Sequence, residues 1–174
     1  MNATQQVYLL TKKLNKKLKN NNSVLKNIKF FTALSYEDKT INSTKTLNTI
    51  LNNTDPKKRH IILYHQNELP PEIINQENLY PIKSHSTEEK ILNLSHISIP
   101  YGPKNIWYGK NGKYRSCLHY HQKNEYDLCK SSNEVFYGEV TPENLEKGTI
   151  VRLSYNPFIN KLFADIGEFL GIKL

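Results

Sequence analysis

Apolar positions along this chain fall into short runs and stripes, separated by stretches rich in lysine and asparagine. Val7, Leu10, Leu14 and Leu18 recur at spacings of three and four, which predicts an amphipathic helix over 4–19. Lys12, Lys13, Lys16, Lys17 and Lys19 occupy the rest of its circumference, and Asn20-Asn21-Asn22-Ser23 stops it. The helix is expected to pack its stripe on the domain and leave the lysines in solvent. Residues 27–34 read as a strand, and 43–51 as a short helix presenting Leu47, Ile50 and Leu51. The run His60–His65 is short, apolar and framed by polar residues, the pattern of a strand buried on both faces. Pro70-Pro71 opens a helical turn through Ile73 and Ile74, Ser86 or Thr87 caps a helix over 88–94, and 96–99 is a further strand.

The stretch Lys104–Cys129 holds the only Trp, both cysteines and two of the six histidines. Asn111-Gly112 lies between two strand-like runs, the signature of a type I′ turn, and predicts a central β-hairpin over 104–122. In that register Tyr108, Arg115, Cys117, His119 and His121 share one face of the ribbon, with Trp107, Tyr114, Leu118 and Tyr120 on the other. Residues 134–140 and 148–155 add two strands, joined by a turn at 141–147. Asn156, Pro157 and Gly171 bracket a C-terminal helix over 156–171, whose Phe158, Leu162, Phe163, Ile166, Phe169 and Leu170 form a broad apolar stripe. The expected whole is a single α+β domain over 1–174. Its sheet is antiparallel or mixed, of five to seven strands, with the basic helix and its Asn-rich stop (1–22) at one end and the C-terminal helix packed on it.

Composition refines this picture. The chain is 37% hydrophobic and 10% aromatic, which fits a folded sheet-containing protein. No run reaches the 18 to 20 apolar residues of a membrane span, and the first lysines follow the first apolar residues, the reverse of a secretory signal. The expectation is a soluble protein, cytoplasmic in the producing cell, with free thiols as the default state of its two cysteines, although the Cys117–Cys129 loop is short enough to close. The net charge of +8 is uneven. Residues 1–60 carry twelve Lys/Arg against three acidic residues, a net of +9, while 61–174 carry twelve against thirteen, a net of −1. That asymmetry suits a polyanion, RNA or another nucleic acid or an anionic membrane surface, met by Lys12, Lys13, Lys16, Lys17 and Lys19. Lysine outnumbers arginine 21 to 3, so a compositional bias that decorates any solvated face accounts for the same charge.

Four chemical readings compete for the ribbon face. His119-x-His121 sets two imidazoles about 7 Å apart on one strand face, and with Cys129 they form a candidate zinc site; otherwise no cofactor is called for. Alternatively His119 and His121 serve as general base and acid, with Arg115 on a phosphate and Tyr108 beside it, the parts of a metal-independent toxin-type ribonuclease. A third possibility makes Cys117 a nucleophile with His60 or His65 as its base. Arg59–His65 and Ser116–Tyr120 are similar to the His-on-strand and Asn-Cys-Glu-His-Phe boxes of the permuted papain-like acyltransferases, though the Asn and Glu of that box are absent. The resemblance implies a Cys/His acyl-transfer centre. Lastly, Trp107, Tyr108 and Tyr114 could form a contact surface for a partner or host protein, without catalysis. His85-Ser86-Thr87 and His96-Ile97-Ser98 each fit the His-x-Thr/Ser pattern of two-histidine phosphoesterases but lie too close together for that fold, and no glycine-rich phosphate loop is present. Nucleic-acid binding or cleavage leads these readings.

Overall fold

The computed structural model describes residues 2–20 and 25–172, with side chains for 2–17 and 25–172. The Asn21-Asn22-Ser23 stop and the Leu18 and Lys19 side chains lie outside the described residues. Helix α1 (Ala3–Asn20) is followed by strand β1 (Phe30–Ser35), helix α2 (Ser43–Asn53), a 3₁₀ turn (Pro56–Lys58), strand β2 (Arg59–His65), helix α3 (Pro71–Ile74) and strand β3 (Leu79–Lys83). These three strands form one parallel sheet in the order β1-β2-β3. Parallel neighbours need a crossover connection, and α2 and α3 supply the two.

Strand β2 is the centre of the fold. Ile61 and Leu63 pack with Leu47, Ile50, Leu69, Ile73 and Leu79 on one side, while Ile62 and Tyr64 pack with Ile91, Leu94, Leu153, Tyr155, Ile159 and Leu162 on the other. A strand buried on both faces must be apolar through its buried positions, and Ile61–Tyr64 is, with the half-buried His60 and His65 framing it. Strand β3 is invisible to the apolar pattern because Pro81 interrupts it; on an edge strand the missing N–H costs no ladder bond.

Beyond β3 come α4 (Lys123–Ser131), β4 (Phe136–Gly138), α5 (Pro142–Leu145), β5 (Ile150–Arg152) and α6 (Ile159–Leu170). β4 and β5 form a second, two-stranded parallel sheet. The segment before them stitches the two sheets together. Leu92 N–H donates to Tyr137 O at 2.7 Å, Ser35 Oγ donates to Leu94 O at 2.6 Å, and Ser95 Oγ donates to Leu153 O at 3.0 Å.

The mixture of helices and strands agrees with the sequence, but the sheet does not. In place of an antiparallel or mixed sheet of five to seven strands there are two small parallel ones. The central hairpin over 104–122 is the source of the error. A type I′ turn needs φ > 0 at both central residues, and neither Asn111 nor Gly112 has it. Asn105 Oδ1 instead accepts from the Trp107 and Tyr108 N–H groups at 2.9 Å, winding the chain into successive turns. Tyr114 N–H still reaches Trp107 O at 2.8 Å, but no ladder forms. Gly109 and Gly112 permit the tight path, because a Cβ at either would collide with backbone atoms.

Two smaller corrections follow the same logic. Residues 88–94 form no helix, since Ser86 and Ile91 exchange both backbone hydrogen bonds at 2.8 Å around a turn that holds Lys90 at φ 53. Residues 96–99 are turn rather than strand. At the N-terminus α1 forms as expected but does not pack: Val7, Leu10 and Leu14 are 64%, 69% and 54% exposed. At the C-terminus α6 starts at Ile159 rather than 156, with Asn156 Oδ1 accepting from Phe158 N–H at 2.8 Å before the first turn. It ends on Gly171 in the left-handed region at φ 69. Phe163 and Leu170, expected in its buried stripe, are exposed.

Candidate active site

Without a ribbon, the residues predicted to share a face are dispersed into different roles. Arg115 is spent on structure: Nε donates to Cys129 O at 2.7 Å and an η nitrogen to Ser132 O at 2.5 Å, closing the end of α4. His119 stacks on Tyr120 with ring centroids 4.2 Å apart, and its Nε2 is buried without a partner. Burial lowers its pKa, and the charges of Arg152 and His121 lower it further, against a hydrogen bond to the Ile150 backbone that raises it. His121 is exposed. Tyr108 sits between Tyr101 and Tyr114 at 4.3 and 5.2 Å.

Cys117 and Cys129 are joined in a buried disulfide. Cys117 is therefore not a nucleophile in this state, and Cys129 offers no thiolate to a zinc ion. The bond forms because α4 returns the chain over Cys117, bringing the two Cα atoms within 6.0 Å. The bases proposed for it are elsewhere in the fold: His60 is stacked between Phe31 and Tyr80 at 5.0 and 4.3 Å, and His65 Nδ1 hydrogen-bonds Asn67 O at 2.8 Å. Lys12, Lys13, Lys16 and Lys17 are all exposed on α1.

A different set of groups converges where strands of both sheets end. Asp38 follows β1, Glu139 follows β4, and Arg152 closes β5; His96 arrives on the segment that links the sheets. Ligand sites in open parallel sheets lie outside the carboxyl ends of the strands, where the loops diverge. The Asp38 side chain is fully buried. Its Oδ1 accepts from the N–H groups of Thr40 and Ile41 at 2.8 and 2.7 Å. Its Oδ2 accepts from His96 N–H at 2.5 Å and pairs with His96 Nδ1 at 2.8 Å.

With all its donors supplied from outside, Asp38 acts as an acceptor on every side, so Nδ1 of His96 carries the proton of the neutral ring. Nε2 then presents a lone pair, and the ring is 29% exposed. A carboxylate that holds an imidazole in this tautomer creates a general base.

Glu139 lies beside this pair with no exposed surface. Burial raises its pKa, and the nearby charge of Asp38 adds to the rise. Arg152 at 2.8 Å from Oε1 is the main opposing influence, aided by the Val140 N–H and by His96. Oε2 has no hydrogen-bond partner. Asp38, His96 and Glu139 each offer one ligand atom within 4.8 Å of the others, close enough to surround one metal ion. The fit to a cation is poor, because the Asp38 acceptors are already filled and the Arg152 guanidinium stands against Glu139.

A cavity of about 300 Å³ is lined by none of these four side chains but by their neighbours, Glu37 and Lys39 beside Asp38 in the chain and Asn93 bonded to Glu139. Glu37 and Lys39 flank Asp38 on its rim, with Asn93, Asn144 and Lys147 facing them. Glu37 Oε1 accepts from the Gln66 and Asn67 N–H groups at 3.0 Å, which fixes the side chain; its Oε2 is buried without a partner. Asn93 Oδ1 accepts from Glu139 N–H at 2.6 Å and so ties the cavity wall to the cluster. The lining offers amides, the Thr141 hydroxyl, two carboxylates (Glu37 and Glu143) and two lysines, and no aromatic ring.

Compared with protein-family models, with curated proteins and with solved structures, the chain matches none. The residues themselves therefore carry the functional argument. Sequence reading missed Asp38, Glu139 and Arg152 and set His96 aside. The available signal was positional: an acidic residue four places after the strand read at 27–34, and another next to last in the run EVFYGEV.

Proposed function

We propose that this protein is an acid–base enzyme, a hydrolase or transferase acting on a small, hydroxyl-rich, anionic substrate such as a phosphorylated sugar or a nucleotide. The Asp38–His96 pair carries this reading: a buried carboxylate fixes the imidazole tautomer and leaves Nε2 to take a proton from water or from a substrate hydroxyl. Glu37 Oε2, lacking a partner at the rim, suits a hydroxyl donor, while Lys39 and Lys147 suit the anionic group. The Arg152 guanidinium at 2.8 Å from Glu139 offsets negative charge in the neighbourhood of Asp38. The Cys117–Cys129 bond supports work in an oxidising compartment rather than the cytosol. No described helix is long and apolar enough to cross a membrane.

Thermal-shift screening against sugar phosphates, nucleoside phosphates and their neutral parents, followed by product analysis, tests the proposal. Hydroxylated anions should raise the melting temperature, and Glu37→Gln together with Lys147→Gln should abolish the rise. His96→Ala should keep binding and lose turnover by about 100-fold or more. Binding by no class, or undiminished turnover in His96→Ala, would contradict it.

A second reading keeps the partner-binding role of Trp107, Tyr108 and Tyr114, favoured by the exposure of Trp107 (53%), Tyr114 (40%) and the adjoining Ile106 (72%). Cleavage of RNA by His119 and His121 gains no such support, since Arg115 is committed to backbone carbonyls.

A further inference from the structure

Helix α1 presents an apolar stripe to solvent together with an uncompensated positive charge. Every described side chain from Asn2 to Lys17 is exposed. Val7, Leu10 and Leu14, at 64%, 69% and 54% exposure, stand on one face, as spacings of three and four require. At 100° per residue Lys13 and Lys17 border that face, and Lys12 and Lys16 lie opposite it. Tyr8 and Leu9 sit on the lysine side. The first acidic residue of the chain is Glu37, so seven lysines precede any negative charge.

We infer that α1 is a surface anchor that lies flat on an anionic lipid bilayer. The charge selects a negatively charged occupant, and the stripe selects among such occupants. A nucleic acid would engage the lysines through phosphate and leave Val7, Leu10 and Leu14 in water. An anionic membrane takes both features, with lysines among the headgroups and the stripe sunk to the acyl boundary. The helix does not span the bilayer, and its 18 residues lie along the surface for about 27 Å. Anchoring in this way leaves the two sheets and the Asp38–His96 pair in the aqueous phase.

The test is flotation of the full chain with vesicles of phosphatidylcholine, with and without phosphatidylglycerol. Binding should be at least about tenfold stronger on the anionic vesicles and should weaken with added salt. Leu10→Gln with Leu14→Gln should lose that binding by about tenfold or more, as should Lys13→Gln with Lys17→Gln. All four positions are exposed, so both variants should keep the wild-type thermal transition, and circular dichroism checks this. Equal flotation on neutral vesicles, or wild-type flotation of the leucine variant, would overturn the anchor. Tight binding of single-stranded RNA by wild type and leucine variant alike, with no vesicle binding, would overturn it in favour of nucleic acid.

Discussion

His60 shows how one residue can serve the fold and resist the chemistry its type suggests. Its ring is sandwiched between Phe31 and Tyr80, with Phe169 meeting its edge at 6.1 Å, and its Nε2 has no partner. Burial holds its pKa below the ordinary imidazole value, against the raising influence of Asp165 and Glu168. The unfolded chain therefore takes up the proton first. The stability tied to this ring is complete above about pH 6.5 and is lost as pH falls through the folded value; His119 acts in the same sense. Replacement His60→Phe preserves the stack and removes the titration. Chemical denaturation across pH should show a flatter acid limb for this variant, with a gap from wild type that widens below about pH 6.5. Parallel curves would contradict the assignment.

At the scale of elements, the disulfide replaces the hairpin as the organiser of residues 104–132. It closes a 12-residue separation between the loop and α4, packing with Val135 and Val151. A loop of that size is worth about 3 kcal/mol when closed. Cys117→Ser with Cys129→Ser should therefore lower unfolding stability by about 2–4 kcal/mol, and the wild type under a strong reductant should approach the same value. A variant as stable as wild type would show that the contacts of Val135 and Val151 alone hold this region.

Three elements were legible in the sequence: β2, because both its faces are buried; α2, through Leu47 and Ile50; and α6, through its apolar stripe and its closing Gly171, though not through the N-cap read at Asn156. The region around Asn111-Gly112 was not, because the turn type depends on backbone angles that Asn105 redirects through a side-chain hydrogen bond. β3 was hidden by a proline that only an edge strand tolerates.

At the scale of the whole molecule, two small parallel sheets turn their carboxyl ends toward one place. The residues that meet there are far apart in the chain: 58 positions separate Asp38 from His96, and 46 separate Asn93 from Glu139. Their juxtaposition depends on parallel topology, and a reading that expected an antiparallel ribbon looked for the site on the ribbon. Only the rule that parallel sheets gather function at strand ends would have drawn attention to Asp38 and Glu139.

The central claim is that Asp38 fixes His96 with its proton on Nδ1 and its lone pair on Nε2. Two-bond nitrogen–proton correlation NMR of the imidazole, in wild type and Asp38→Asn, reads this directly. The account predicts the Nδ1-protonated tautomer for the neutral ring in wild type and a shift to the Nε2-protonated tautomer in Asp38→Asn, where the amide can donate to Nδ1. A wild-type ring that carries its proton on Nε2 would have no base to offer, and the proposed chemistry would fall with it.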